Sequence, residues 1–222
     1  MISRFKWYSV RLPCTVEEAL DRLDAFKYHV GQEAGFVVDR AAGSFEYYWR
    51  TPMYLTSIDE DGEAVRSEVF SLSRQKVELI KGRRLIFRIQ DPPRSSKELF
   101  NMLEKTLGFG FGATALAVGD ATLKQAIKEF KSVALNSIKF SGGISEASAL
   151  ARVEVASKRG LEMSLLDRFA LDGRTVESAS YSVMTKGISG QVGFTRSGIC
   201  KISGDLAPLI LSKVESCLLN HN

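Results

Sequence analysis

Two histidines, His29 and His221, are all that this chain of 222 residues holds. Histidine is the usual proton carrier near neutral pH and the commonest metal ligand. His29 falls at the end of an expected helix and His221 is the second-last residue, so neither stands in a catalytic setting. Carboxylate–lysine sets give little more. Metal-dependent nuclease sites need a glutamate two residues before the lysine and a second carboxylate ahead of it. Glu78 with Lys81 and Glu154 with Lys158 have other spacings, and Glu129-Phe-Lys131 has the spacing but lies on an expected helix. Asp59-Glu60-Asp61 is followed by Gly62, which makes it a hairpin loop. Cys14 has only the distant His29 as a base, so a nucleophile pair is not expected. Gly108-Phe-Gly-Phe-Gly112 follows a helix and carries no GK[ST], unlike a phosphate loop. It reads as a helix C-cap and crossover, with Phe109 and Phe111 packed inward. The sequence therefore predicts a protein that is not an enzyme, with no metal and no cofactor.

Positive charge is what the chain offers instead. The net charge is +4 and the pI about 8.9, a mild bias toward an anionic partner. Between residues 73 and 105, nine Lys or Arg stand against four Asp or Glu. Lys81, Arg83 and Arg84 cluster at one turn. In the strand that follows, Arg84, Ile86 and Arg88 share a face opposite Leu85, Phe87 and Ile89, which predicts a basic outer side and a core side. Lys124, Lys128 and Lys131 recur at helical spacing beside a buried face of Leu123, Ala126, Ile127 and Phe130. Arg174, Lys186, Arg196 and Lys201 add to a late hairpin that holds only Glu177. Tyr47, Tyr48, Trp49 and Tyr54 form an aromatic run around Thr51-Pro52. Cross-strand packing explains such a run, and base stacking on a single strand is the alternative.

The elements that must position these residues follow from periodicity. Residues 4 to 11 form a strand. Thr15 with Glu18 makes a capping box for a helix continuing through Val30 to a stop at Gly31. Six strands, at 36–38, 45–49, 54–58, 65–72, 77–80 and 85–89, then form an antiparallel meander between Gly35 and Gln90, with turns at 59–62 and 81–82. Pro92 and Pro93 end the sheet, and Ser95 with Glu98 opens a second helix stopped by Gly108. A third helix covers Leu123 to Lys131. Strands follow at 132–140 and 149–156, then a short helix at 162–169, a hairpin from Thr175 to Ile202, and a last helix capped by Asp205. The fold class is α+β, mostly antiparallel sheets with packed helices in two sub-domains, residues 1–112 and 113–222. The absence of a signal-peptide pattern or a membrane-length apolar run, with three cysteines and no CxxC, predicts free thiols in a cytoplasmic protein and no membrane partner.

Residues 81–110, KGRRLIFRIQDPPRSSKELFNMLEKTLGFG, read as a strand followed by a helix with an LF…LE pattern, and 151–187 as a strand ending in a basic residue, a short Leu165-Leu166-Asp167 helix and a strand with Tyr181 and Lys186. That order resembles proteins of the phage-exclusion and Kiwa-type antiphage defence group, although residues 1–70 depart from it. The resemblance implies a small α+β protein that binds DNA without cleaving it, as a homo-oligomer or with a second protein subunit. Residue chemistry and resemblance together predict a DNA-binding protein, with RNA left open. The expected contacts are Lys81, Arg83 and Arg84 at the turn, Lys124, Lys128 and Lys131 along the helix, and Lys158 and Arg159 in support. The alternative is an interaction subunit of a larger assembly, docking through region 45–55 or the last helix.

Overall fold

The computed structural model describes residues 1–144, 149–162, 164, 167–169, 171–185 and 187–220. It is an α+β protein dominated by antiparallel strands, and its residues gather into two compact units. One comprises Met1–Ser9, Lys81–Arg84 and Ala115–Asn222. The other comprises Val10–Ile80 and Leu85–Thr114. Neither is contiguous in sequence, and the expected cut at 112/113 falls inside a strand, β6 (Gly112–Leu116).

The unit of Val10–Ile80 and Leu85–Thr114 is a meander of β2 (Ala34–Asp39), β3 (Ser44–Ile58), β4 (Ala64–Ile80) and β5 (Leu85–Gln90), paired in that order. Its helices are α1 (Val16–Ala25) and α2 (Lys97–Leu107). Alternation along β3 turns Phe45 and Tyr47 inward, where they meet Phe36 and Phe87 at ring separations of 5.1 to 5.8 Å. Leu99, Leu103 and Leu107, one helical turn apart, bury the inner face of α2. The Tyr47 hydroxyl donates to Glu98 Oε1 of α2 at 3.3 Å.

In the other unit the strands run β1 (Ile2–Arg11, of which Ile2–Ser9 belong here), β11 (Cys200–Ser203), β10 (Ile188–Phe194), β9 (Asp172–Thr185), β7 (Ser132–Ile144) and β8 (Ala149–Ala156). Two helices pack together on them, α3 (Asp120–Ile127) and α4 (Ala207–Asn220). Trp7 is fully buried, and its indole N–H donates to Glu215 Oε1 of α4 at 3.1 Å. The Tyr181 hydroxyl donates to Asp120 Oδ1 at the start of α3 at 2.8 Å. Buried donors need partners, so each bond fixes a helix on its strands.

Several boundaries differ from the sequence reading. The capping box at Thr15 and Glu18 forms, but α1 stops at Ala25. Phe36 N–H bonds Phe26 C=O, which pulls the chain into an extended bridge and leaves Val30 in solvent. The second box does not form. Ser96 is the N-cap of α2, its side chain makes no capping bond, and Ser95 Oγ accepts from the Lys97 N–H. Gly108 does cap α2 with φ 93°, but Phe109 is wholly exposed rather than packed inward. Asp205 lies in a 3-10 turn, Gly204–Leu206, and caps nothing with its side chain. The helix expected at 162–169, Lys186 and His221 fall wholly or partly outside the described residues. The four strands expected at 45–49, 54–58, 65–72 and 77–80 are two long ones, β3 and β4, paired without a break from Ser44 with Glu78 to Ile58 with Ala64.

Candidate nucleic-acid interface

The 81–84 turn and α3 flank α4 on two sides. Arg84 Nη2 donates to the Leu218 C=O in the last turn of α4, and Gly82 abuts the Leu219 side chain. On the other flank Lys213 pairs with Glu129, and Gln125 lines a hollow with Ser216, Cys217 and Asn220. One helix, about 10 Å across, therefore lies between the two basic elements expected to act together.

Within the turn the three cations have different fates. Arg83 and Lys81 are exposed. Arg84 is half-buried, and its Nη2 holds an α4 carbonyl that has no partner within its helix, which ties this guanidinium to the helix end. The expected basic outer side of β5 is also corrected. Ile86 is fully buried, and Arg88, on the same face, is spent on Glu78. Both faces of that strand are covered.

The lysine stripe is shorter than its spacing suggested. α3 ends at Ile127, so Lys128 is the C-cap and Lys131 lies beyond the helix. Lys124 is held by Asp120 at 2.7 Å, a pairing one turn apart that its sequence spacing allows. Lys128 stands beside Glu129, whose carboxyl the Lys213 ammonium holds below its usual range. Lys131 is exposed, directly before β7.

Lys158 and Arg159 come to that same end of β7. Ser157 N–H bonds Asn136 C=O at 2.8 Å, and Leu161 N–H bonds Leu135 C=O at 2.7 Å, so the 157–161 loop lies along the first residues of β7. Both side chains are exposed, with no ion pair among the described residues. Lys131, Lys158 and Arg159 thus share one end of the sheet. Sequence spacing could not show this, because the antiparallel pairing of β7 with β8 creates it.

Lys213 does not stand out in the sequence, because it follows the apolar run Leu209–Leu211 in the last helix. Arg152 and Arg196 were underread too. They converge at 3.5 and 3.3 Å on Glu177, which is 8% exposed, at the rim of a cavity of about 400 Å³ that also includes Thr175, Thr195 and Gly119. Two guanidinium groups there share one carboxylate.

The carboxylates weighed for metal chemistry are engaged elsewhere. Glu78 binds Arg88 and Lys76, Glu154 binds Lys139, Glu129 binds Lys213, and Asp59 organises its own turn by accepting from the Asp61 and Glu63 N–H groups. Among the described residues no three His, Cys, Asp or Glu converge as a metal site would require. His29 borders an open hollow with Lys27, Glu33 and Lys105. Of the aromatic run, Tyr47 is core, Tyr48 stacks on Tyr28 at 4.9 Å, and Trp49 stacks on Tyr47 at 5.3 Å. Ring packing within the unit accounts for these three: Tyr47 meets Phe36 across β2 and β3, Trp49 lies on its neighbour along β3, and Tyr48 lies on a ring of the loop before β2. No helix is long and apolar enough to cross a membrane among the described residues.

The charge divides by unit. Met1–Ser9, Lys81–Arg84 and Ala115–Asn222 carry 18 Lys and Arg against 10 Asp and Glu. The other unit carries 12 against 16. A chain whose net charge is only +4 is therefore a strongly basic unit joined to an acidic one. Comparison with known protein-family models and with curated proteins finds no match.

Proposed function

We propose that the protein binds DNA without cleaving it, through phosphate contacts made by its basic unit, and that the two units are separate sub-domains with separate tasks. The excess of eight cations in that unit carries the reading. Phosphates attract a basic surface irrespective of sequence, and neutralising them releases condensed counterions. Lys131, Lys158 and Arg159 at one end of β7, with Lys128 beside them and Arg83 and Lys81 across α4, are the contacts. Lys124 and Arg84 support the site from within it, by closing an ion pair and by fixing α4. A phage-exclusion setting, which the resemblance implies, belongs to the same proposal, as does a cytoplasmic location.

A salt series of gel shifts on the full chain tests it. With about six phosphate contacts, affinity for duplex DNA falls roughly a thousandfold between low and moderate salt, with little dependence on sequence. A chain that leaves DNA unshifted at low salt, or whose affinity ignores salt, overturns the reading. An RNA duplex in parallel lanes separates a DNA reader from a general polyanion binder.

A further inference from the structure

Beyond residue 49 the β3–β4 hairpin leaves its sheet. β2 pairs with β3 only as far as Trp49, and β5 pairs with β4 only from Val77. Arg50 through Ile58 and Ala64 through Leu72 therefore run on as a two-stranded arm, about 30 Å long at ~3.4 Å per residue. Its residues are exposed almost throughout, including Tyr54, Leu55, Val65, Val69, Phe70 and Leu72. A lone two-stranded ribbon is marginal in water, and an uncovered apolar edge is a template for another strand.

The two edges of the arm are not equivalent. Asp59 N–H bonds Glu63 C=O, and Leu79 N–H bonds Gly43 C=O, which fixes the alternation between them. Odd-numbered residues of β4 exchange backbone bonds with β3, and even-numbered residues of both strands point outward. On the β3 edge Arg50 N–H is taken by Glu33 C=O, and Pro52 has no N–H to give. The β4 edge has no such guard. Ala64, Arg66, Glu68 and Phe70 present N–H and C=O outward with no backbone partner on that side among the described residues.

We propose that this edge pairs with the same edge of a second copy, antiparallel about a two-fold axis at Ser67. The charges choose the partner. With the axis at Ser67, Arg66 of each copy faces Glu68 of the other. Val65 faces Val69, and Ala64 gives room to the ring of Phe70. Every outward residue then faces an outward residue, so the backbone bonds close. Moving the axis one residue either way sets Glu68 against Glu68 or Arg66 against Arg66. Arg66 already lies over the Tyr54 ring at 4.2 Å, on the face where Glu68 of the second copy arrives. An isologous contact needs a surface that complements itself, and this stretch does. The proposal goes beyond DNA binding and does not depend on it.

Sedimentation equilibrium of the full chain, without nucleic acid, tests it. The wild type is a dimer. R66E and E68R each raise the dimer dissociation constant by roughly tenfold or more, because two like-charge pairs replace two attractive ones. The swap R66E/E68R returns it toward the wild-type value, which mere damage to the arm does not allow. Circular dichroism confirms that each variant is folded. The axial pair is a non-hydrogen-bonded one, with Cα atoms about 4.5 Å apart, inside disulfide reach. S67C therefore cross-links under mild oxidation, and S71C, on the same face but off the axis, does not. A monomer at high micromolar concentration, a dimer indifferent to R66E, an uncross-linked S67C, or an arm found paired with a different protein each overturns the proposal.

Discussion

Among the described residues both units are antiparallel strands carrying two packed α-helices, yet they differ in how many cations their carboxylates absorb. In the acidic unit Arg40 pairs with Asp21, Arg88 and Lys76 with Glu78, and Arg22 donates to the Leu107 C=O. Arg50 and Arg66 lie over the rings of Phe70 and Tyr54. In the basic unit Lys124, Lys139, Arg152, Arg174, Arg196 and Lys213 pair as well, but Arg83, Lys131, Lys158 and Arg159 are left over at turns and strand ends, with no ion pair among the described residues. Local charge is informative where cations outnumber the carboxylates that could absorb them. Net charge over the whole chain hides that excess, because the acidic unit cancels half of it.

The largest effect that can break this contrast is charge reversal matched between the units. K128E, K131E, K158E and R159E together should lower affinity for duplex DNA on the order of a hundredfold or more. The salt slope should become shallower by about one for each phosphate no longer neutralised. Four reversals in the acidic unit, at Arg40, Arg94, Lys97 and Lys105, should leave gel shifts within a few-fold of wild type. Equal losses from both sets would mean that only total charge matters, and the division by unit would carry no function.

A smaller contrast lies in the buried bonds that hold a helix in each unit. Glu215 of α4 is 8% exposed and accepts from Trp7, which has no exposed surface. Glu98 of α2 is exposed, and its bond to Tyr47 reaches the surface. Removing a buried acceptor leaves its donor dry, at about 1–3 kcal/mol, whereas water replaces an exposed one. E215A should therefore destabilise by about that amount in urea unfolding, and E98A by under about 1 kcal/mol. Similar losses at both positions would show that α2 depends on its carboxylate as α4 does.

The signals that the structure kept are short-range ones, although the equally local Ser95–Glu98 box and Asp205 cap do not form. The Thr15–Glu18 box, the turn at 59–62, the Gly108 cap and the leucine ladder of α2 each depend on residues within a few positions. Long-range pairing stayed hidden. Nothing local tells that Arg84 reaches the end of α4, that Glu177 gathers Arg152 and Arg196, or that Lys131 lies at the sheet end that holds Lys158. The lysine stripe was overread for a related reason. Helical spacing continues through Lys131, but the chain turns into β7 after Ile127, and periodicity alone cannot see a strand claim the residues beyond. The long strands β3 and β4 read as four short ones, because Pro52 and the polar stretch Ser73–Lys76 look like breaks although the pairing runs through them.

Alkaline titration gives the smallest and finest comparison. Tyr181 in the basic unit and Tyr47 in the acidic unit are each buried and donate to a carboxylate, Asp120 and Glu98. Burial first, and then the neighbouring negative charge, pushes both phenols well above their ordinary value. The folded state thus holds protons that the unfolded chain releases from about pH 10. The stability from these phenols is fully present below that pH and is lost as pH rises through the raised folded values. Absorbance of phenolate should show two tyrosines ionising only as the protein unfolds. Y181F and Y47F should each remove one of them and flatten the alkaline fall in stability. Glu98 is exposed and Asp120 is held between Tyr181 and Lys124, so Y181F should flatten it more. If both tyrosines ionise in the folded protein with ordinary phenols, the two hydrogen bonds do not anchor their helices, and the comparison between the units rests on charge alone.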